Sequence, residues 1–197
     1  MTLFHALGPF ASSGGVVAAP GMVLVSPTSI THSGTSATLG ANGQVTFTAV
    51  TSLSLNGCFT ADFDNYVVVI RGVDSADHNA WYARLRASGS DASGSDYTTQ
   101  YLIAAGTTVA GARDSSFTYM TFAPTSDDAR TGNTVYLYGP FLAQPTAVRC
   151  VSARGTSGAV IRDYASTHSL STSYDGITLY PSSDNQTGEL AVYGIRS

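Results

Sequence analysis

The chain has 197 residues, a formal net charge of −4 and only 11% charged residues, against about a quarter in an average domain. It offers no basic footprint for a nucleic-acid partner and no run of about 18 apolar residues that would cross a bilayer as a helix. All nine basic residues are Arg and Glu189 is the only Glu, so the usual material of exposed helix faces is missing, whereas Ser, Thr, Gly, Val and Tyr are abundant.

Residues 1–25 differ from the rest. Phe10-Ala-Ser-Ser-Gly-Gly15 and Val16-Val-Ala-Ala-Pro-Gly21 are small, apolar and punctuated by Pro9 and Pro20. The start lacks the basic stretch that precedes a signal-peptide core. Such a segment builds no core by itself. It is either a leader without structure or an arm that orders against another subunit, and its apolar side chains favour the arm, with Leu3, Phe4, Leu7 and Phe10 as the candidate docking residues.

Period-2 segments separated by turn signals follow over 26–197, which reads as the single body of the chain. Gln44–Val50 alternates, with Val45, Phe47 and Ala49 on one face, and the pairs Asn42-Gly43 and Asn56-Gly57 supply the positive φ of tight turns. Asn65–Arg71 is almost continuously apolar and reads as a strand buried on both faces. Trp81–Ala87 alternates again, with Trp81, Ala83 and Leu85 inward and Tyr82, Arg84 and Arg86 outward. Further strands are expected at Gln100–Ala105, Ser116–Phe122, Thr134–Tyr138, Ala147–Ala153, Val160–Tyr164, Gly176–Tyr180 and Glu189–Ile195. A short helical turn fits around Asp74–Ala80. Ten to twelve strands in a chain of this size imply an all-β, antiparallel β-sandwich, jelly-roll-like, preceded by an extended N-terminal arm.

Chemical signatures are thin. His5, His32, His78 and His168 stand in no nucleophile-and-base pattern, and the close pairs Asp62/Asp64, Asp74/Asp77 and Asp127/Asp128 lie where Asp caps turns. Cys58 and Cys150 have no second ligand at metal spacing; they read as two packed thiols, with a single disulfide as the alternative. The expectation is a non-enzymatic chain without metal or cofactor. The eleven Tyr residues are more informative, because exposed aromatics beside Asp, Asn and Arg suit either a sugar-binding surface or a subunit interface. Trp81, Tyr82, Tyr97 and Tyr101 are the glycan-binding candidates.

The succession Gly21-Met-Val-Leu-Val-Ser-Pro-Thr-Ser-Ile30, Gly43-Gln-Val-Thr-Phe47, Leu53-Ser-Leu-Asn-Gly-Cys-Phe-Thr60, Asp64-Asn-Tyr-Val-Val-Val-Ile70, Ile177-Thr-Leu-Tyr-Pro-Ser-Ser183 and Gly188-Glu-Leu-Ala-Val-Tyr-Gly-Ile195 resembles small virion proteins of tailed bacteriophages, the minor tail, tail-fibre-like and head-fibre proteins. The likeness covers residues 21–197 and is carried most by Phe59-Thr60, Asp64-Asn65-Tyr66 and Val192-Tyr193-Gly194. Physically these are fold-defining positions: Phe59 anchors the loop before the central strand, Asp64-Asn65 turn into it, and Gly194 leaves room for a neighbouring backbone. The resemblance implies a structural protein located in the virion as a homo-oligomer, trimeric where it forms a fibre, touching other tail or capsid proteins and a host cell-surface polysaccharide. A capsid decoration protein or head fibre, and a free carbohydrate-binding module, are the alternatives.

Overall fold

The computed structural model describes residues 21–74, 80–124, 131–154 and 160–196. The described residues contain fourteen antiparallel strands and no helix: β1 Gly21–Val25, β2 Ser29–Leu39, β3 Val45–Asn56, β4 Asn65–Asp74, β5 Ala80–Ala87, β6 Ser90–Asp91, β7 Tyr97–Ala105, β8 Thr108–Phe117, β9 Met120–Pro124, β10 Thr131–Tyr138, β11 Thr146–Arg154, β12 Val160–His168, β13 Gly176–Pro181 and β14 Gln186–Arg196. They form one continuous sheet in the order β6-β5-β13-β3-β14-β4-β10-β11-β12-β7-β8, with β1 on β14, β2 on β3 and β9 on β5. The sheet curls on itself, since β9, hydrogen-bonded to β5, packs across the interior against β12, β11 and β7.

The curl begins in β3. Residues 45–50 of this strand pair with β14, whereas Leu53–Leu55 pair with β13. Near its middle β3 carries an extra residue against β14 between Phe47 and Val50 and another against β2 between Val50 and Ser52, the device by which a strand turns a corner from one layer to the next. Ala49 takes a positive φ of 46° there, and its N–H is held by Thr187 Oγ1 at 2.9 Å. Opposite it, Gly34 has φ +102°, and a Cβ on it would lie 2.2 Å from the Ala49 carbonyl oxygen. The corner is sharp. Ser26 touches Gly43 before β3, while the Thr28 N–H donates to Asn56 O at its far end. Two residues of chain therefore bridge ends that lie no more than about 20 Å apart, half the span of the strand if it were straight.

The interior is one apolar cluster that includes Trp81, Tyr66, Tyr97, Tyr174, Phe59 and Phe122. The Tyr66 hydroxyl closes the loop before β4, accepting from Thr60 N–H at 2.6 Å and donating to Thr60 O at 2.8 Å, with Phe59 and Phe63 packed on its ring. Gly194 is needed here because a Cβ would sit 2.3 Å from the Phe63 ring; the close neighbour is an aromatic side chain, not the backbone expected from sequence. The motifs separated in sequence as Phe59–Tyr66 and Val192–Gly194 thus meet in space.

Several sequence expectations are corrected. Gly21–Val25, assigned to the arm, are strand β1, paired with β14 from Gly21↔Arg196 to Val25↔Val192. The expected strand Ser116–Phe122 straddles the end of β8 and the start of β9, with Ser116 at φ 61°. Strand β4, expected to be buried on both faces, is partly open on its outer face, where Val67 is buried but Val69 is 42% exposed. Arg86 lies on the outer face with Arg84, as expected, yet it is buried there: it pairs with Asp91 and donates to Ser54 Oγ at 3.1 Å, Thr178 Oγ1 at 2.7 Å and Asn56 Oδ1 at 3.0 Å. That web satisfies a charge that would be costly to bury alone. As expected, Cys58 and Cys150 are two buried thiols with no disulfide between them, and burial pushes the Cys58 thiol up to about 12. The helical turn expected around Asp74–Ala80 lies mostly outside the described residues.

Replacing Gly34 by Ala is expected to cost at least ~2 kcal/mol, from a strained φ and a backbone clash together, read as a lower urea midpoint. Gly132→Ala, where a Cβ meets nothing within 4 Å, is expected to leave that midpoint in place; equal losses at both positions would remove the corner from this account.

Candidate functional site

The four glycan-binding candidates do not share a surface. Trp81 and Tyr97 are core residues, 1% and 0% exposed, and the Tyr97 hydroxyl is spent inside the fold, accepting from Leu85 N–H at 3.1 Å and donating to Ala92 O at 2.8 Å. Tyr101 is half-buried on the inner side of β7, directly opposite Tyr164 and 5.4 Å from it ring to ring. Only Tyr82 faces outward as expected. Its ring stacks on Tyr119 at 4.0 Å and meets the edge of Tyr180 at 5.7 Å, and Arg84 lies over Tyr180 at 5.1 Å while donating to Thr118 O at 2.9 Å. Burial raises the hydroxyl of Tyr82 and pushes that of Tyr180 up to about 12. The cluster ties β9, β5 and β13 together, and the ring face of Tyr82 is already used. The docking candidates Leu3, Phe4, Leu7 and Phe10 lie outside the described residues.

Of the carboxylate pairs, only Asp62/Asp64 falls among the described side chains, and both border an open hollow of about 540 Å³ with Phe63, Asn65, Ile195 and Arg196. Asp62 is exposed and accepts from Thr60 Oγ1 at 3.2 Å within its own turn; the side chains of Asp74, Asp77, Asp127 and Asp128 lie outside the described residues. Among the described residues no group of three or more His, Cys, Asp or Glu side chains could hold a metal ion.

The surface that stands out is the outer face of β4-β10-β11-β12-β7-β8. Register places Val69, Thr134, Val151, Asp163, Leu102 and Gly111 in one row across six strands. A second row holds Arg71, Gly132, Ala153, Ile161, Ala104 and Val109. Val109 is 70%, Ile161 61% and Leu102 55% exposed, and Tyr136 and Tyr138 stand out on β10 beside them. Two of the three Arg side chains on this face, Arg149 and Arg71, have acidic partners, and Arg113 on β8 borders the same face. Arg149 holds Asp163 in a fork, Nε to Oδ1 at 3.0 Å and Nη2 to Oδ2 at 2.6 Å, and Arg71 lies 3.6 Å from Glu189. The hydrogen bonds from Arg149 hold the Asp163 carboxyl below its ordinary range. Small side chains leave a shallow hollow of about 510 Å³ bordered by Thr98, Gln100, Tyr138, Ala147 and Arg149. An apolar and contiguous surface of this kind, with few charges, marks a protein contact more than a solvated face. One signal in the sequence pointed to it: Tyr101-Leu-Ile-Ala-Ala105 is apolar at both alternating sets of positions, so whichever set faces inward, the other is left outside.

Comparison of the chain with protein-family models, with curated proteins and with solved structures returned no match.

His168, the last residue of β12, is fully buried. Its Nδ1 is 3.2 Å from the Tyr174 hydroxyl, and its ring packs at 4.3 Å on Tyr97 and 5.1 Å on Tyr174. Burial lowers its pKa, while the nearby Asp96 carboxylate works in the opposite direction. The folded chain thus binds this proton less readily than the unfolded chain, whose imidazole titrates near 6.5. Its contribution to stability is complete above that value and is lost as pH falls through the lower folded value. Urea midpoints are expected to drop on acidification below about pH 6.5, and more steeply in the native chain than in His168→Gln; identical slopes would assign the drop to other groups.

Proposed function

We propose that this chain is a structural protein of a bacteriophage virion, a minor tail or fibre-like component displayed on the particle, with a jelly-roll-like body and an N-terminal arm before Gly21 that docks onto the tail or head. The observation that carries the reading is the outer face of β4-β10-β11-β12-β7-β8, whose exposed Leu102, Ile161 and Val151 surround charges already paired to one another. A face with so much exposed apolar area and so few charges suits a largely apolar partner. The sequence resemblance over 21–197 supplies the kind of assembly and the jelly-roll-like description. A capsid decoration protein or head fibre is the second reading; it uses the same face and differs only in where the chain sits.

An antibody against the purified chain is expected to label intact phage particles from the source culture, at the tail on the first reading and at the head on the second. The double variant Leu102→Asp/Ile161→Asp, on exposed positions, is expected to keep native circular dichroism yet fall at least tenfold in copies per particle, measured by quantitative immunoblot. Unlabelled particles, or full incorporation of the folded variant, would sink the proposal.

A further inference from the structure

Strand β8 is the long unguarded edge of the sheet. It pairs only with β7, runs for ten residues, and is exposed on both faces along most of its length. The other long edge, β2, is interrupted in mid-strand by the irregularity at Ser33/Gly34 and is built largely of Ser and Thr. The remaining edges, β1, β6 and β9, are five residues or fewer. Natural edges are guarded by bulges, by Lys or Pro, or by shortness. In β8 the one irregularity falls at its end, beyond Ser115, and the strand contains neither Lys nor Pro.

The direction of its free hydrogen-bonding groups follows from the hairpin. Ala105 faces Thr108 across the two-residue turn Gly106-Thr107, with Gly106 at φ 57°. The pairs 105/108, 103/110 and 101/112 are then the hydrogen-bonded ones, so the N–H and C=O groups of Val109, Gly111 and Arg113 point away from β7.

We propose that this edge pairs antiparallel with β8 of a second copy of the chain, about a two-fold axis at Gly111. In that register Val109, Gly111 and Arg113 of one copy meet Arg113, Gly111 and Val109 of the other, so each outward donor finds an outward acceptor. Between them Ala110 faces Ala112, which puts no bulk at the contact. The two Arg113 side chains are kept apart, each lying over Val109 of the opposite copy, and Asp114 falls opposite Thr108 instead of a second carboxylate. A second copy is the occupant because the outward groups of the strand match those of its own copy about the axis and no like charges meet, the condition of an isologous contact. The inference stands on the edge geometry and does not depend on placing the chain in a virion.

Light scattering on the full-length chain across a dilution series is expected to approach twice 20.4 kDa. Val109→Pro removes one outward N–H and leaves the pairing with β7 intact; it is expected to return the mass to that of one chain with little change in thermal midpoint. Should that variant fail to fold, Gly111→Cys decides. With Cys58 and Cys150 buried, its thiol is expected to give a covalent dimer with a short bis-maleimide. A single-chain mass at the highest soluble concentration, a three-fold mass, a folded Val109→Pro that remains dimeric, or no cross-link through Gly111→Cys would each overturn the proposal.

Discussion

The fold depends on a crease. At the level of Ala49 the strand β3 must leave one neighbour for another, and this requires the backbone of β2 to approach closer than any side chain allows. Gly34 permits it, because its missing Cβ is where the Ala49 carbonyl oxygen sits. The same demand continues into the adjoining strands. A Cβ on Gly188 would lie 2.2 Å from the Arg71 carbonyl oxygen, and Gly188 stands opposite Gly72. Glycine in a strand interior is entropically costly and packs nothing; here it lets a sheet that would otherwise stay open bend and enclose a core.

Once the sheet bends, its two faces have different fates. The inner face collects Trp81, Tyr66, Tyr97 and Phe122 together with polar groups that find partners there, such as Thr99 with Ser166. The outer face of the large half is left without a layer over it. In most antiparallel sheets such a face is polar. Here it carries Val69, Val151, Leu102, Ile161 and Val109, with few charges among them. The two halves share one core on the inside, while the outer face of the larger half and its edge β8 present a surface suited to assembly.

The sequence was legible where alternation is strict and turn chemistry explicit. Val45–Val50, Trp81–Leu85, Thr134–Tyr138 and Glu189–Ile195 are strands because apolar residues recur at every second position beside Asn-Gly or Gly-containing turns. Strands β2 and β8 escaped because neither face of either is buried, so neither leaves a period. The aromatic candidates failed for a related reason. Alternation correctly turned Trp81 inward, and that same inward direction removes it from any binding surface; Tyr97 begins a strand whose first residues lie beneath β9, which only the curl brings over them.

By itself the sequence determined that the chain is all-β and antiparallel, that it lacks the material for helices, and which residues of the regular strands face inward, since all of these follow from local sterics and a two-residue period. The tertiary structure alone decided that the sheet is continuous and curled, that His168 is buried, and that an apolar face and an edge strand remain open. Those outcomes depend on which strands become neighbours. Neighbourhood is set by close approaches between residues far apart in the chain, such as Gly34 with Ala49 and Gly194 with Phe63, and no local pattern records them.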